Sequence, residues 1–484
     1  MSIESLPKAR PVADSEWRGR PLRRREFLTR MLLSSAVART ALAGTPALAA
    51  PANRLQAGEA RIDITPPLGI TMGGFHYPPT DPRLITGIRA RSAARALVLR
   101  AVRDRAAIIS FDMLNISRAA ARRVRERAGR ATGIPTRCVH VCATHTHSMP
   151  SIAFNRQWGD QHPEYFAEVE RKIVEVVRLA QADLAPADLA VGRSRTVDAN
   201  FNRTASPVKT DADFTQGSSD DDRWLDTSLH VLHFERAAPK RNLLWYHFSA
   251  HPVCFNDRLA GPDWPGLVEE LAAGQGLPAP SFLQGHIGDV NPGKGDPWLG
   301  RAEDTAPAVL RAVREALQSA TRVNVRDIRV ATGDFPLPLD LALFRDQIAR
   351  YRSDPSKCTG GEWVDAAFAK DWHDTFAAKW NFKQSHLPSA LTAMRLGDVG
   401  LVFHGAELYS FYGLAIRRDS PLPHTLVIGY ADGYVGYLPD PNAYRHGEYA
   451  AVVVPKILNF PPFTPTAARE LAAGAVRLLR KVAS

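Results

Sequence analysis

The sequence predicts an α/β fold. Apolar strand-like runs alternate with amphipathic helical stretches at the spacing of βα units. Of the 484 residues, 45% are hydrophobic and 23% charged, which is enough for a sizeable core. No internal repeat and no apolar run long enough to cross a bilayer interrupts the alternation. Length alone allows two or three domains, or one large α/β unit.

The first 49 residues read apart from that fold. They hold a twin-arginine pattern, Arg24-Arg25-Glu26-Phe27-Leu28, then a modest apolar stretch broken by Arg39, and an Ala47-Leu48-Ala49 cleavage signal. The expectation is a signal peptide over 1–49, a folded domain over 50–484, and a periplasmic or secreted protein. The rival reading is a basic amphipathic helix in a cytosolic protein. Twin-arginine export carries folded chains, which suits a metal loaded beforehand. Without this segment the charge falls from +11 to +6, 52 basic against 46 acidic residues. No Lys/Arg-rich patch carries interleaved aromatics, so no nucleic-acid partner is expected. Peripheral contact with anionic membrane lipid is allowed.

The elements follow in order. "GEARIDITPPLGITMGGF" (58–75) is a strand and a Pro/Gly-rich loop. "SAARALVLRAVRDRAAIISFDM" is two strands around a charged turn. "SRAAARRVRERAGRATG" is a helix with Ser117 as N-cap and Gly133 as stop. "RCVHVCATHTHS" is the next strand, and "PEYFAEVERKIVEVVRLAQADL" a long helix opened by Pro163. After a polar stretch, "LHVLHFERAAPKRNLLWYHFSAHPV" reads as a hairpin ending at His251. "PGLVEELAAGQG" is a helix, "PSFLQGHIGDVNPGKG" a strand entering a Gly-rich loop, and "RAEDTAPAVLRAVREALQSA" a helix. A helical insertion near 340–385 carries Trp363, Trp372 and Trp380, read as a lid over a cleft or as plain core. Strands around "VGLVFHGAELYS" and "TLVIGYADGYVGYLP" and a final helix close the chain. Cys138 and Cys142, about 13 Å apart on one strand, are too distant for a disulfide. Pairings involving Cys254 or Cys358 stay open.

Some residues point to chemistry. On a strand, His145 and His147 of "CATHTHSMP" project to one face. Imidazole is the commonest metal ligand but also ordinary at strand ends. The Asp-His that extends H-x-H in metallo-β-lactamases is missing, and no H-E-x-x-H occurs. His251 lies at a strand rim beside Pro252, where a structural histidine is the ordinary alternative. Glu407 follows a small-residue turn and, if buried, needs a partner. Tyr434 and Tyr437 follow an Asp-Gly turn, as ligands or as packed aromatics. Gly288, Asp289 and Asn291 form either a substrate cradle or a tight turn.

Seven segments, "RIDITPP", "ATHTHS", "NFNR", "FSAHPV", "GDVNP", "GAEL" and "DGYVGYLP", occur in the order seen in neutral/alkaline non-lysosomal ceramidases. The resemblance spans most of residues 58–460. It implies a large single catalytic domain with a mixed β-sheet core flanked by helices. It implies one zinc ion (Zn2+) and hydrolysis of the amide of N-acyl-sphingosines by zinc-activated water. Carried over by motif, the zinc ligands are His145, His251, Glu407 and Tyr437. His147 stands near the scissile carbonyl as a proton carrier, and Arg203 at the polar head or oxyanion. Asn291 replaces the family's "GDVSP" serine, so ceramide specificity is open, and it can still donate a hydrogen bond to substrate. The length leaves no room for the family's C-terminal immunoglobulin-like domain. Three functions follow: an exported ceramidase-like zinc amidohydrolase; the same metal site acting on a non-sphingolipid amide or ester; or a non-catalytic periplasmic protein that binds metal or ligand. The partner is a small-molecule or lipid substrate.

Overall fold

A computed structural model describes residues 55–484; the expected signal segment lies outside them. In chain order the main elements begin with β1 (Gln56–Asp63), β2 (Ala93–Ala101), β3 (Asp104–Phe111), α1 (Arg118–Thr132), β4 (Val139–Ala143) and α2 (Pro163–Ala182). They continue with β5 (Ala185–Arg195), β6 (Asn200–Asn202), β7 (Ser228–Arg236), β8 (Leu243–Phe248), α3 (Trp264–Gly274), β9 (Ser281–Gln284), β10 (Val290–Pro292), α4 (Ala302–Gln318) and β11 (Thr321–Val323). The last third holds β12 (Ile328–Asp334), α5 (Leu341–Ser353), α6 (Ala366–Thr375), β13 (Ala390–Leu396), β14 (Val399–His404), β15 (Ala406–Leu408), α7 (Ser410–Asp419), β16 (His424–Ile428), β17 (Gly436–Leu438), α8 (Pro441–Arg445), α9 (Tyr449–Val452), α10 (Val454–Ile457) and α11 (Ala467–Ala483).

These form a mixed α/β architecture. Nine strands make one sheet, ordered β9-β8-β7-β5-β1-β2-β3-β4, with β11 also on β5. The pairs β8–β9 and β3–β4 are parallel and the other neighbours antiparallel. A second sheet, β12-β13-β14-β16, ends on the parallel pair β14–β16.

Strand alternation stacks the layers. On β14, Val399, Leu401 and Phe403 share a core with the large sheet, while Val402 packs with the α11 side chains Leu471, Ala475 and Leu479. On the far face of the large sheet, α2 and α4 approach so closely that a Cβ on Gly58 would meet Ala180 O at 2.2 Å, and one on Gly192 would meet Ala316 O at 1.8 Å. The order is helix, sheet, sheet, helix. The ends of the large sheet also meet: Ser110 donates to Phe282 O at 2.5 Å and Gln284 to Thr144 O at 2.9 Å. This curl gathers the loops after β4, β8, β9, β14 and β16 at one rim.

Local physics matches most expected elements. Ser117 caps α1 by accepting from Ala120 N–H, and Gly133 ends it in the left-handed region at φ 70. Two expectations are corrected. β4 ends at Ala143, so His145 and His147 stand in a loop, not on a strand face; His145 itself turns the chain with φ 64. β8 ends at Phe248, before His251, and His247 faces away, its Nε2 2.9 Å from Val427 O. The three tryptophans do not share one helix. Trp363 and Trp372 pack at 5.5 Å in a small core with Phe344, Ile348 and Tyr351. All four cysteines are free. No helix among the described residues is long and apolar enough to cross a membrane.

Candidate metal centre

Backbone pairings between loops position the site. Ala143 N–H donates to Tyr430 O at 3.1 Å and Asp432 N–H to Val141 O at 2.9 Å, laying the tyrosine-rich loop across the end of β4. His147 N–H donates to Pro252 O at 3.0 Å, and His251 N–H to Val290 O at 3.3 Å. Glu407 and Tyr437 face each other in register on the parallel pair β15–β17.

The side chains then converge. The Nε2 atoms of His145 and His251 lie 3.3 and 3.4 Å from the same Glu407 oxygen, Oε2. His147 Nε2 lies 3.2 Å from His145 Nε2. One ring nitrogen from each of the three histidines falls within 4.8 Å of the others. The tautomers follow from the acceptors. Nδ1 of His145 sits 2.7 Å from Leu114 O, and Nδ1 of His251 2.7 Å from Val290 O. A carbonyl only accepts, so both Nδ1 atoms carry the proton and both Nε2 atoms face inward.

Burial pushes the His251 imidazole down to about 3, so at neutral pH its Nε2 is a bare lone pair, and this atom has no hydrogen-bond donor. Burial opposes charge on Glu407, and a proton shared with the facing imidazoles, His145 first, holds its carboxyl well below the ordinary range. Lone pairs of two imidazoles and a carboxylate therefore point at one spot. A metal ion reconciles them, and two inward ring nitrogens with a carboxylate are a donor set suited to zinc. The residues fit the ion that the motifs imply.

Tyr430, buried, and Tyr434, half-buried, donate to the two Glu407 oxygens at 3.0 and 2.5 Å. Tyr437 is engaged elsewhere: its hydroxyl accepts from Arg203 at 2.6 Å. Burial pushes that phenol well up, and the guanidinium pulls the other way. Arg203 also donates to Gly288 O at 2.8 Å and to Asn291 Oδ1 at 3.3 Å. Asn291 is fully buried and gives an N–H to Trp298 O, so it orients Arg203 instead of presenting a free amide to a substrate. The loop expected as a cradle is a knot: Gly288 N–H donates to Leu408 O, and Asp289 accepts from Ser410 and Asn202.

His147 differs from the other two histidines. It is half-buried, its Nδ1 has no partner, and burial pushes its imidazole well below the usual value. The sequence reading passed over Tyr430. Its only signal was a third tyrosine, four residues before Tyr434, and its φ of 55 is visible only in the fold. A cavity of about 40 Å3 opens on the cluster, lined by Gly74, His147, Trp158, Tyr449, Ile457 and Leu458 among others. A larger cavity, about 470 Å3 between α7 and α11, lies apart from these groups, and the chemistry identifies the smaller one as the site.

Comparison with known proteins bears on the fold. No curated protein matches the sequence significantly. The crystal structure of neutral ceramidase from Pseudomonas aeruginosa shares the fold at TM-score 0.67 and 20% identity, over 89% of this chain and 75% of that one. A structure titled as ceramidase complexed with C2 matches at TM-score 0.65 and 18% identity, over 88% and 75%. Residues 55–267 match the family described as neutral/alkaline non-lysosomal ceramidase, N-terminal, and over that segment the chain is similar to its members.

Proposed function

We propose that this protein is an exported, zinc-dependent amidohydrolase that cleaves an N-acyl amide of a ceramide-like lipid. One observation carries the reading: a single carboxylate oxygen of Glu407 lies 3.3 and 3.4 Å from two imidazole nitrogens whose far sides are pinned to backbone carbonyls. When bound, zinc supplies a Lewis acid that acidifies water at neutral pH.

The chain's own groups supply the rest. His145, His251 and Glu407 hold the ion, and Tyr430 and Tyr434 fix the carboxylate. Tyr437, in register with Glu407, presents a neutral phenol whose oxygen accepts from Arg203. His147 carries the proton to the leaving amine. Its Nδ1 is tied to no carbonyl, unlike those of His145 and His251, so no backbone acceptor fixes its tautomer. Arg203, held by Gly288 O and Asn291, places positive charge beside the position of a developing oxyanion. Export rests on the Arg24-Arg25 pattern.

Purified protein should contain close to one zinc per chain and release fatty acid from N-acyl-sphingosine, with chelator abolishing turnover and zinc restoring it. A zinc content far below one per chain ends this reading. A second reading keeps the ion and changes the substrate to a smaller amide or ester. The cavity of about 40 Å3 favours it, because a long chain does not fit inside. Comparing N-acyl amides with simple esters separates the two.

A further inference from the structure

The wall of the catalytic cavity is held from outside. Ile457 and Leu458 line the cavity, and Leu458, with Tyr434, also lines a neighbouring groove of about 260 Å3. That groove is floored by apolar groups including Leu387, Pro388, Val435 and Phe460. Next to Ile457 stands Lys456, whose side chain is 1% exposed. Its ammonium sits 4.9 Å over the Trp363 ring and 5.5 Å over the Trp372 ring. It donates to Val452 O at 2.6 Å and lies 3.5 Å from Glu362. Burial lowers it to about 8, so it is still charged at neutral pH and depends on these partners. Arg156 makes a second tie. Its backbone N–H donates to Ile457 O at 2.8 Å, and its guanidinium bridges Asn459 and Asp371 of α6.

We propose that the α5–α6 segment is a latch: Glu362, Trp363 and Trp372 grip Lys456 and thereby position Ile457 and Leu458, the partition between the catalytic cavity and the groove, so that the grip sets the substrate chain length the site admits. The proposal rests on the amidohydrolase reading for its substrate. The tryptophan segment thus acts on the cavity wall, where the sequence suggested a cover over a cleft. Lys456 and Glu362 are positioning residues and touch no reacting atom.

The test breaks the grip and then restores it without charge. Glu362→Ala leaves a buried ammonium without its carboxylate, so Lys456 either leaves the box or stays as a neutral amine with a weakened hold on the rings. In the double variant Glu362→Ala with Lys456→Met, an apolar chain of similar length fills the box again. For the single variant, amide hydrogen exchange across residues 452–460 should speed up about tenfold or more. The ratio of kcat/KM for a long-chain over a short-chain N-acyl amine should shift about fivefold or more, through KM, with kcat on the short substrate and zinc content unchanged. The double variant should return both readouts towards wild type. Unchanged exchange overturns the latch. Faster exchange with an unchanged ratio overturns its role in selection, as does an equal fall on both substrates. If wild type hydrolyses neither amide, the amidohydrolase reading has failed. Exchange then still tests the latch, and calorimetric affinities for the same two amides replace the ratio.

Discussion

Tyr430→Phe removes one hydroxyl and leaves the packing of the ring, so it isolates a single hydrogen bond on the carboxylate proposed to bind the metal. The hydroxyl donates to Glu407 Oε2 at 3.0 Å in a fully buried setting, and the same oxygen faces both imidazoles. A hydrogen bond to a charged group contributes about 1.5–3 kcal/mol. Loss of a partner that orients a metal ligand lowers metal affinity about 10–100-fold, which is roughly 1.4–2.7 kcal/mol. Two independent lines thus agree on about 2 kcal/mol. Tyr434 donates to Oε1, so Tyr434→Phe should weaken zinc binding in the same direction. The assay is zinc titration against a competing chelator, with melting of the metal-free protein as control. Zinc should bind about 30-fold more weakly while the metal-free protein melts within a few degrees of wild type. An affinity within twofold of wild type for both variants would mean that the phenols do not hold the carboxylate, and the account of the site would fail at that point.

Further outcomes follow from other parts of the structure. Gly74 has φ +96 and a Cβ there would meet the His147 ring at 2.5 Å, so Gly74→Ala should displace that ring and lower kcat about tenfold or more while zinc content holds; unchanged kcat would remove His147 from proton transfer. Burial pushes His247 and His404 down to about 3 each. The unfolded chain takes up protons below about pH 6.5 that the fold refuses, so each residue's stability contribution is full above that pH. It drains by about 1.4 kcal/mol per pH unit as pH falls towards 3. Urea unfolding should show this slope, shallower in His404→Gln, and a flat profile between pH 6.5 and 4 contradicts it. Zinc at about 100 times its dissociation constant should stabilise the protein by about 2.7 kcal/mol, read as a melting shift that chelator reverses; no shift argues against a site formed only in the fold. Replacing Arg24 and Arg25 by lysine should retain the protein in the cytoplasm, and unaltered export would refute the twin-arginine reading.

Short-range signals made much of this legible. α1 begins after Ser117 and ends at Gly133 because capping and a left-handed glycine are local requirements. His145, His251 and Glu407 could be nominated because seven family-like segments occur in order around them; histidine at the end of an apolar run has an ordinary structural explanation on its own. What the sequence could not reveal was how the loops cross. The same-face argument for His145 and His147 assumed a strand, and a residue at φ 64 brings the two rings together by another route. Tyr430 was invisible because its role depends on a bridge between residues 143 and 430. Asn291 looked available to a substrate; its commitment to Trp298 O and Arg203 is a long-range fact.

The pinning of both inward imidazoles to Leu114 O and Val290 O has a consequence for ion choice. Two nitrogens and one oxygen, held with little freedom, discriminate against calcium and magnesium, which prefer oxygen cages. Against copper the same donors offer no defence, since divalent copper outcompetes zinc at most such sites. Fidelity must therefore come from circumstance: the place where the loops first close decides which ion is captured. A chain refolded in copper-rich medium should trap copper in place of the zinc proposed here.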